Sequence, residues 1–267
     1  MLDKVNYIIA VASGKGGVGK STTAVNLALA LAEEGKAVGL LDADIYGPSL
    51  SMMLGVAEGT RPESAGAQHI KPIEAHGIST MSMSYLVNDD TPMVWRGPMA
   101  GGALQQLLLQ TWWGDLDVLV VDMPPGTGDI QLTLAQKAQI SGAVIVTTPQ
   151  DIALLDAKKG IEMFEKVKIP VLGIVENMAI HICSQCGHQE HIFGHGGGEK
   201  VAAQYGTELL GSLPLDLAIR EQGDNGTPIV LADPGGDVAA LYREIARNVL
   251  LRLEASATDS DPEIVLE

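Results

Sequence analysis

The sequence contains few aromatic residues, few cysteines and little positive charge. Aromatic side chains make up 4% of its 267 residues, so its core must be aliphatic, as in parallel sheets that are covered by helices. Two cysteines are too few for a disulfide scaffold. Lysine and arginine number 17 against 33 acidic residues, and the net charge of -16 disfavours general binding to nucleic acid or to anionic membranes. No apolar run reaches transmembrane length.

Short aliphatic runs alternate with segments of helical periodicity along the chain. Hydrophobic residues make up 46% of the sequence, which is enough for a sizeable core. The alternation predicts an α/β fold, with a mostly parallel, doubly wound sheet flanked by helices. The predicted strands are residues 7–12, 37–41, 78–83, 118–121, 143–148, 171–175 and 209–213. The predicted helices are residues 24–31, 98–112, 131–139, 151–167 and 237–253.

The domain organisation is predicted to be simple. No linker or internal repeat interrupts residues 1–254, so we expect a single domain there. Residues 255–267 are acidic and rich in small side chains, which is typical of a disordered tail. The chain runs almost directly into its first strand, so no signal peptide is expected and a cytoplasmic location is predicted.

One glycine-rich stretch carries the strongest functional signal, because it matches the phosphate-binding pattern G-x-x-x-x-G-K-[ST]. A predicted strand precedes it and a predicted helix follows, so its backbone N–H groups and the helix dipole would form an anion site. Lys20 is predicted to reach the β- and γ-phosphates of a nucleotide, and the Ser21 hydroxyl to hold Mg²⁺. Lys15 is a second cation inside the loop. The predicted nucleotide-binding residues of this P-loop are Gly14, Lys15, Gly16, Gly17, Val18, Gly19, Lys20, Ser21 and Thr22.

Three carboxylates lie at the ends of predicted strands, where ligands bind in parallel sheets. Asp122 is predicted to anchor Mg²⁺. Asp42 and Asp44 are two apart in an extended segment and leave on the same face, so one can help the metal while the other orients the attacking water. In the loop after Asp122, the Gly126 N–H could contact the γ-phosphate. The alternative for all three acids is a turn or loop residue in contact with solvent.

The two cysteines, Cys183 and Cys186, are spaced as a metal or redox pair. A redox pair normally follows an early strand, and this pair comes late in the chain. A zinc site that adds His188 and His191 is one alternative, although Cys186 and His188 are close for tetrahedral ligation. Another is a shared site in which two subunits supply four thiolates to zinc or a [4Fe–4S] cluster. Two unligated thiols are the remaining possibility.

The P-loop sequence resembles the deviant Walker A motif of the ATPases that include MinD, ParA, the arsenite pump ATPase and nitrogenase iron protein. The resemblance implies that Lys15 acts across a dimer on the phosphates of the partner subunit, so that hydrolysis depends on dimerisation. It also implies that Asp44 positions water and that Asp122 is the Walker B acid. Asn177 matches the adenine-contacting asparagine, and Pro214 falls where the class closes over the base.

Further segments are similar to the Mrp/Nbp35 family, also called ApbC, of iron–sulfur cluster carrier ATPases. The similarity covers residues 6 to 253 and implies a homodimer that binds ATP and Mg²⁺. It implies that Cys183 and Cys186 bind a [4Fe–4S] cluster between the subunits and that the cluster passes to apo-proteins, with scaffold proteins as further partners. This chain is expected to lack the small extra domain that many bacterial members carry before the P-loop. The similar segments are residues 44–49, 95–99, 122–129, 176–178, 183–186, 192–194 and 211–215.

Two other functions stay open at this point. A positioning protein that is switched by ATP, of the MinD or ParA kind, would need a basic membrane-seeking helix or a basic DNA-binding face. The acidic stretch after the predicted final helix and the net charge of -16 argue against both, so neither membrane nor nucleic acid is an expected partner. The other alternative keeps the ATPase and places a structural zinc at the cysteine pair.

Overall fold

The computed structural model describes residues 2–66, 69–86 and 97–259, which form one sheet with helices on both faces. The strands are β1 (Val5–Ala12), β2 (Val38–Asp42), β3 (Ile73–Ala75), β4 (Ile78–Ser82), β5 (Leu116–Asp122), β6 (Gly142–Thr147), β7 (Val171–Ile182), β8 (Gln189–Glu190) and β9 (Leu209–Leu215). The helices are α1 (Lys20–Glu33), α2 (Leu50–Met53), α3 (Gly97–Gln110), α4 (Asp129–Lys137), α5 (Asp151–Lys166), α6 (Gly197–Tyr205), α7 (Leu217–Asp224), α8 (Ile229–Ala232) and α9 (Asp237–Asp259).

The strand that leads into the P-loop lies in the middle of the sheet. The strand order is β3-β4-β2-β5-β1-β6-β7-β8, and β9 also pairs with β7. β3 and β8 run antiparallel to their neighbours, whereas the other paired strands are parallel. The predicted α/β fold with a mostly parallel, doubly wound sheet is confirmed. Because β1 separates the two halves of the sheet, its carboxyl end is where such folds bind ligands.

Each face of the sheet is covered by an aliphatic core. Ile8 faces one core and Ile9 the other, because consecutive strand residues point to opposite faces. Helices α1, α8 and α9 pack on one face, and α3, α4, α5 and α6 pack on the other. The fully buried side chains of the core under α1, α8 and α9 include Leu27, Leu40 and Tyr242. Those of the core under α3 to α6 include Leu41, Leu108 and Phe164.

The structure corrects several predicted bounds. β7 runs to Ile182, well beyond the predicted end at Val175, because it resumes pairing with β9 after a polar interruption. α9 continues to Asp259 and so includes the first part of the predicted tail, residues 255–259. The rest of that tail, with Trp95 and Arg96, lies outside the described residues. Within the described ranges, no helix is long and apolar enough to cross a membrane.

Candidate functional site

A cleft of about 460 Å³ opens at the carboxyl end of β1. Its walls come from the P-loop, the loop after β2 and the segment from the end of β9 into α7. The predicted site residues that line it are Lys15, Gly16, Gly17, Gly19, Lys20, Ser21, Thr22, Asp44, Asn177 and Pro214. The predicted residues that do not line it are Gly14, Val18, Asp42, Asp122 and Gly126. Its volume lies in the range of small-molecule sites.

The P-loop joins β1 to α1 and leaves the start of the helix free for an anion. Gly19 is the N-cap of α1 and supplies no side chain to bond the first N–H groups. Its φ of 82° is in the left-handed region, and a Cβ there would overlap the Asn177 side-chain amide. Glycine is therefore required at this position. The uncapped helix start and the dipole of α1 together favour a phosphate.

The charges behind the loop form a compact buried group. Lys20 Nζ lies 2.5 Å from Asp122 Oδ1 and 3.9 Å from Asp44 Oδ2. The lysine side chain is 7% exposed and Asp122 is fully buried. Burial raises the pKa of Asp122, and the adjacent Lys20 ammonium acts in the opposite direction. Two carboxylates thus hold the ammonium where the P-loop begins its helix, within reach of phosphates in the cleft.

The oxygen atoms in this group fit a magnesium ion. Asp122 Oδ2 is buried and has no hydrogen-bond partner among the described residues, although a buried carboxylate oxygen normally has one. The Ser21 hydroxyl accepts a hydrogen bond from Lys20 Nζ at 3.3 Å and lines the cleft. Carboxylate and hydroxyl oxygens, with phosphate oxygens of a nucleotide, are the donor set that Mg²⁺ prefers. The predicted roles of Ser21 and Asp122 as magnesium residues fit this arrangement and remain predictions.

Asp42 holds the loop after β2 in shape. Its carboxylate accepts hydrogen bonds from the backbone N–H groups of Asp44, Ser49 and Leu50 and from the Ser82 hydroxyl. Burial, with a further contribution from the charge on Asp122, raises the pKa of Asp42 to about 7. These contacts fix the position of Asp44, which lines the cleft. Help from Asp42 to the metal remains a prediction.

Lys15 is the second cation of the P-loop, and it differs from Lys20 in its pairing within the described residues. Its side chain lines the cleft and forms no salt bridge within the residues that the structure describes. The loop around it is fixed, because Ser13 Oγ donates to the Lys15 carbonyl at 2.8 Å. Gly14 lies against the backbone of Asp156 in α5, so closely that a Cβ would overlap it. The backbone around Lys15 is therefore held by β1 and α5, while its charge stays available.

Two predicted nucleotide contacts are engaged within the protein. The Gly126 N–H donates to the Ser13 carbonyl at 2.9 Å, so a contact with a γ-phosphate would require this bond to break. The Asn177 amide donates to the Val18 carbonyl at 2.8 Å, and its own oxygen accepts the Met178 N–H. Asn177 also lines the cleft. The adenine contact of Asn177 and the phosphate contact of Gly126 remain predictions.

The lining of the cleft also includes residues that the motifs did not reveal. An apolar surface there combines side chains from α2, β7, β9 and α7, namely Met52, Met53, Met178, Leu215 and Ile219. Asp216 caps α7 by accepting the Ala218 N–H at 2.7 Å. Arg220 lines the cleft but is paired with Asp224 at 2.8 Å. An aspartate before an apolar turn is a typical N-cap signal, so the start of α7 could have been predicted from the sequence.

The cysteines lie on a short β-hairpin that leaves the sheet at the end of β7. The Cys183 N–H donates to the His188 carbonyl, the Gly187 N–H donates to the Cys183 carbonyl, and β8 pairs antiparallel with the end of β7. The Cys183 thiol accepts backbone N–H groups from Gln185 and Cys186, which lower its pKa below the usual range. Cys186 is exposed, and neither cysteine forms a disulfide. The hairpin therefore presents a thiol pair that is favoured for ligation.

The histidines near the hairpin do not complete a metal site with it. No group of three or more His, Cys, Asp or Glu side chains that could hold a metal is found in the described part of the chain. His191 Nδ1 donates instead to the Ala179 carbonyl at 2.8 Å, and His181 Nδ1 donates to the Leu215 carbonyl at 3.2 Å. The zinc site of Cys183, Cys186, His188 and His191 is therefore not assembled among these residues.

The chain matches a known family over most of its length. A family model described as "ParA: NUBPL iron-transfer P-loop NTPase" matches residues 4–250. The chain belongs to this family. The match spans the P-loop, the strand-end carboxylates and both cysteines, so the family resemblance expected from the sequence is confirmed. Membership also places the chain among nucleotide-hydrolysing proteins.

Individual relatives agree with the family match. An iron–sulfur cluster carrier protein of Pseudomonas fragi is 68% identical over 245 residues, covering 92% of this chain and 85% of the relative. A nucleotide-binding protein of Archaeoglobus fulgidus, solved with ADP, is 38% identical with a TM-score of 0.77 and covers 90% of this chain and 93% of that one. The MinD ATPase of Pyrococcus furiosus, at 23% identity and a TM-score of 0.69 over 92% of this chain and 99% of its own, shares the fold.

Proposed function

We propose that this protein is an ATP-hydrolysing carrier that binds a [4Fe–4S] cluster between two copies of itself and transfers it to apo-proteins. The observation that carries the proposal is the exposed Cys183–Cys186 hairpin, held on the strand that also lines the nucleotide cleft. A relative that is 68% identical is called an iron–sulfur cluster carrier protein, which supports the assignment. Recipient apo-proteins and cluster scaffold proteins are the expected partners, and the cytoplasm is the expected location.

The residues of the cleft can each contribute to ATP hydrolysis. Lys20 and the start of α1 bind the phosphates, while Ser21 and Asp122 hold Mg²⁺, which neutralises phosphate charge when bound. Asp44 is 15% exposed on the cleft wall and 3.9 Å from Lys20 Nζ, so it can orient a water molecule toward the γ-phosphate. Asn177 and Pro214, which also line the cleft, contact the adenine.

Two features of the chain are incomplete in a single copy. Lys15 has no ionic partner within the described residues, and two thiols supply half of a four-thiolate shell. A symmetric dimer uses the same surface on both copies and would complete both features together. Lys15 of one copy would then contact the phosphates held by the other copy, and the two hairpins would hold one cluster.

An iron–sulfur cluster explains the cysteine pair better than a structural zinc ion does. Four thiolates suit either metal centre. A structural zinc site normally draws its ligands into a closed tetrahedral shell, and no third ligand of this chain is grouped with the cysteines in its described part. An exposed hairpin allows cargo to enter and leave. The positioning function of MinD or ParA proteins leaves the cysteine hairpin unexplained.

Anaerobic reconstitution with iron and sulfide tests this function. Wild-type protein should bind about four iron atoms per dimer, as one [4Fe–4S] cluster, and should transfer them to an apo-protein. The double variant Cys183→Ser/Cys186→Ser should bind almost none. Ser184→Ala changes the same turn without removing a thiol and serves as the matched control. Equal iron in wild type and the double variant would exclude the carrier function, and zinc without iron in anaerobically purified protein would favour the structural alternative.

A further inference from the structure

Strand β7 contains a bulge between the nucleotide cleft and the cysteine hairpin. After a smaller register shift between Ile174 and Val175, its pairing with β9 reaches Glu176, opposite Ser212, and resumes at Ile180, opposite Pro214. Within this interval Met178 has a φ of 56°, in the left-handed region that residues with a Cβ rarely adopt. Bulges of this kind redirect a strand and are often found beside functional sites.

The bulge is bonded to the P-loop on one side and to the end of the hairpin on the other. Asn177, which is 7% exposed, donates to the Val18 carbonyl of the P-loop at 2.8 Å. Two residues later, the Ala179 carbonyl lies 2.8 Å from Nδ1 of His191. Because a carbonyl only accepts, Nδ1 of His191 must carry the proton. His191 directly follows β8, so this bond fixes the returning strand of the hairpin to the bulge.

A second bond ties the chain after His191 to the same bulge. The Gly198 N–H at the start of α6 donates to Glu176 Oε1 at 2.6 Å, and Glu176 is buried. Between these two bonds, a Cβ at Gly194 would come within van der Waals contact of Pro149, which follows β6. The segment 191–198 is therefore hydrogen-bonded to the bulge at both ends, which links the position of the hairpin to residues 176–179.

We propose that His191 is a positioning residue that couples the cysteine hairpin to the nucleotide cleft through the β7 bulge. It acts through the Ala179 carbonyl and the bulge backbone, on which Asn177 lines the cleft. A nucleotide that changes the contacts of Asn177 shifts the bulge and, with it, the thiols. The inference rests on the proposed function, because a nucleotide-driven carrier needs its cargo ligands to respond to the cleft.

The test measures how fast iodoacetamide alkylates Cys183 and Cys186 in the full-length, metal-free protein, with and without Mg-ADP. In wild type, ADP should change the alkylation rate about fivefold, a typical allosteric coupling. His191→Ala should keep its ADP affinity within about twofold, because its side chain is exposed and outside the cleft, yet lose this response. His188→Ala is the matched control, since its side chain makes no hydrogen bond within the described residues, and it should respond like wild type.

His191→Asn separates the hydrogen bond from the ring, because the asparagine amide can donate from nearly the same place. It should restore most of the ADP response. A full response in His191→Ala, no response in wild type, or no recovery in His191→Asn would each overturn the proposal. Iron loading is measured separately, so a carrier without this coupling would bind its cluster normally. Loss of cluster binding in wild type would instead reject the proposed function.

Discussion

The nucleotide cleft and the cysteine hairpin differ in how far a single chain completes them. In the cleft, the Lys20 ammonium is 7% exposed and is balanced by Asp122 and Asp44. In the hairpin, Cys186 is exposed, and Cys183 accepts hydrogen bonds from two backbone N–H groups and from the Cys186 thiol. The cleft is thus preorganised by folding, whereas the hairpin presents one exposed and one partly exposed thiol to solvent. Replacing a member of the buried Lys20–Asp122 pair should therefore lower stability, whereas replacing exposed groups should mainly affect function.

Replacing Lys20 should give the largest effect, because it removes one partner of a buried ion pair. Lys20→Met should lower the free energy of unfolding by about 3 kcal/mol and abolish nucleotide binding. Without the ammonium, the pKa of Asp122 would rise further above its unfolded value, so the folded state would bind the extra proton. Stability of the variant should then fall as pH rises above about 4, with a smaller deficit at pH 5 than at pH 8. Denaturant unfolding across this range measures both effects.

The matched control for that variant is Lys4→Met. Lys4 pairs with Asp115 at 3.0 Å, but their side chains are 55% and 85% exposed. An exposed pair of this kind contributes less than about 1 kcal/mol. If both variants lost the same stability, the contrast between a buried cleft and an open surface would be wrong.

Lys15 provides the converse test, as a cation of the P-loop with no salt bridge in the described residues. Lys15→Met should leave the free energy of unfolding within about 0.5 kcal/mol of wild type. ATP hydrolysis should fall about 1,000-fold, as when a cation supplied by a partner subunit is removed. Steady-state turnover and ATP-dependent dimerisation by sedimentation are the measurements. Unchanged turnover would refute a role across the dimer.

Asp44 should show a smaller loss that is confined to turnover. Asp44→Asn keeps the shape of the side chain but removes the charge that orients water, so turnover should fall about 100-fold. ATP affinity, measured by titration calorimetry, should change by less than about threefold, because the phosphates are bound by the P-loop and Lys20. A variant that failed to bind ATP would assign Asp44 to metal binding or to folding.

Much of the fold was predictable because periodicity and composition dominate where the chain is buried. The predicted strand over 143–148 and helix over 151–167 agree closely with Gly142–Thr147 and Asp151–Lys166. The end of β7 was not predictable from the same signal. Its apolar run stops at Glu176, and only the later pairing with β9 shows that the strand continues to Ile182.

The candidate site also has parts that the sequence predicted and parts that it did not. The P-loop was recognisable because phosphate binding requires glycines and a lysine at fixed spacing. The apolar surface of the cleft was not recognisable from the sequence, because Met52, Met178 and Ile219 come from separate elements and have no shared motif. Asp42 also shows the limit of spacing arguments. Its spacing from Asp44 predicted a shared face, but tertiary contacts bring four donors to its carboxylate.

The bulge in β7 also stores extra chain beside the sheet. From Glu176 to Ile180 this strand advances four residues while β9 advances two, from Ser212 to Pro214. Because the two strands are paired at both ends of this interval, the two extra residues of β7 lie out of the ladder and do not extend the strand. At about 3.3 Å per strand residue, they amount to about 7 Å of chain. The bulge can therefore change its shape while the pairing of β7 with β9 stays the same on either side.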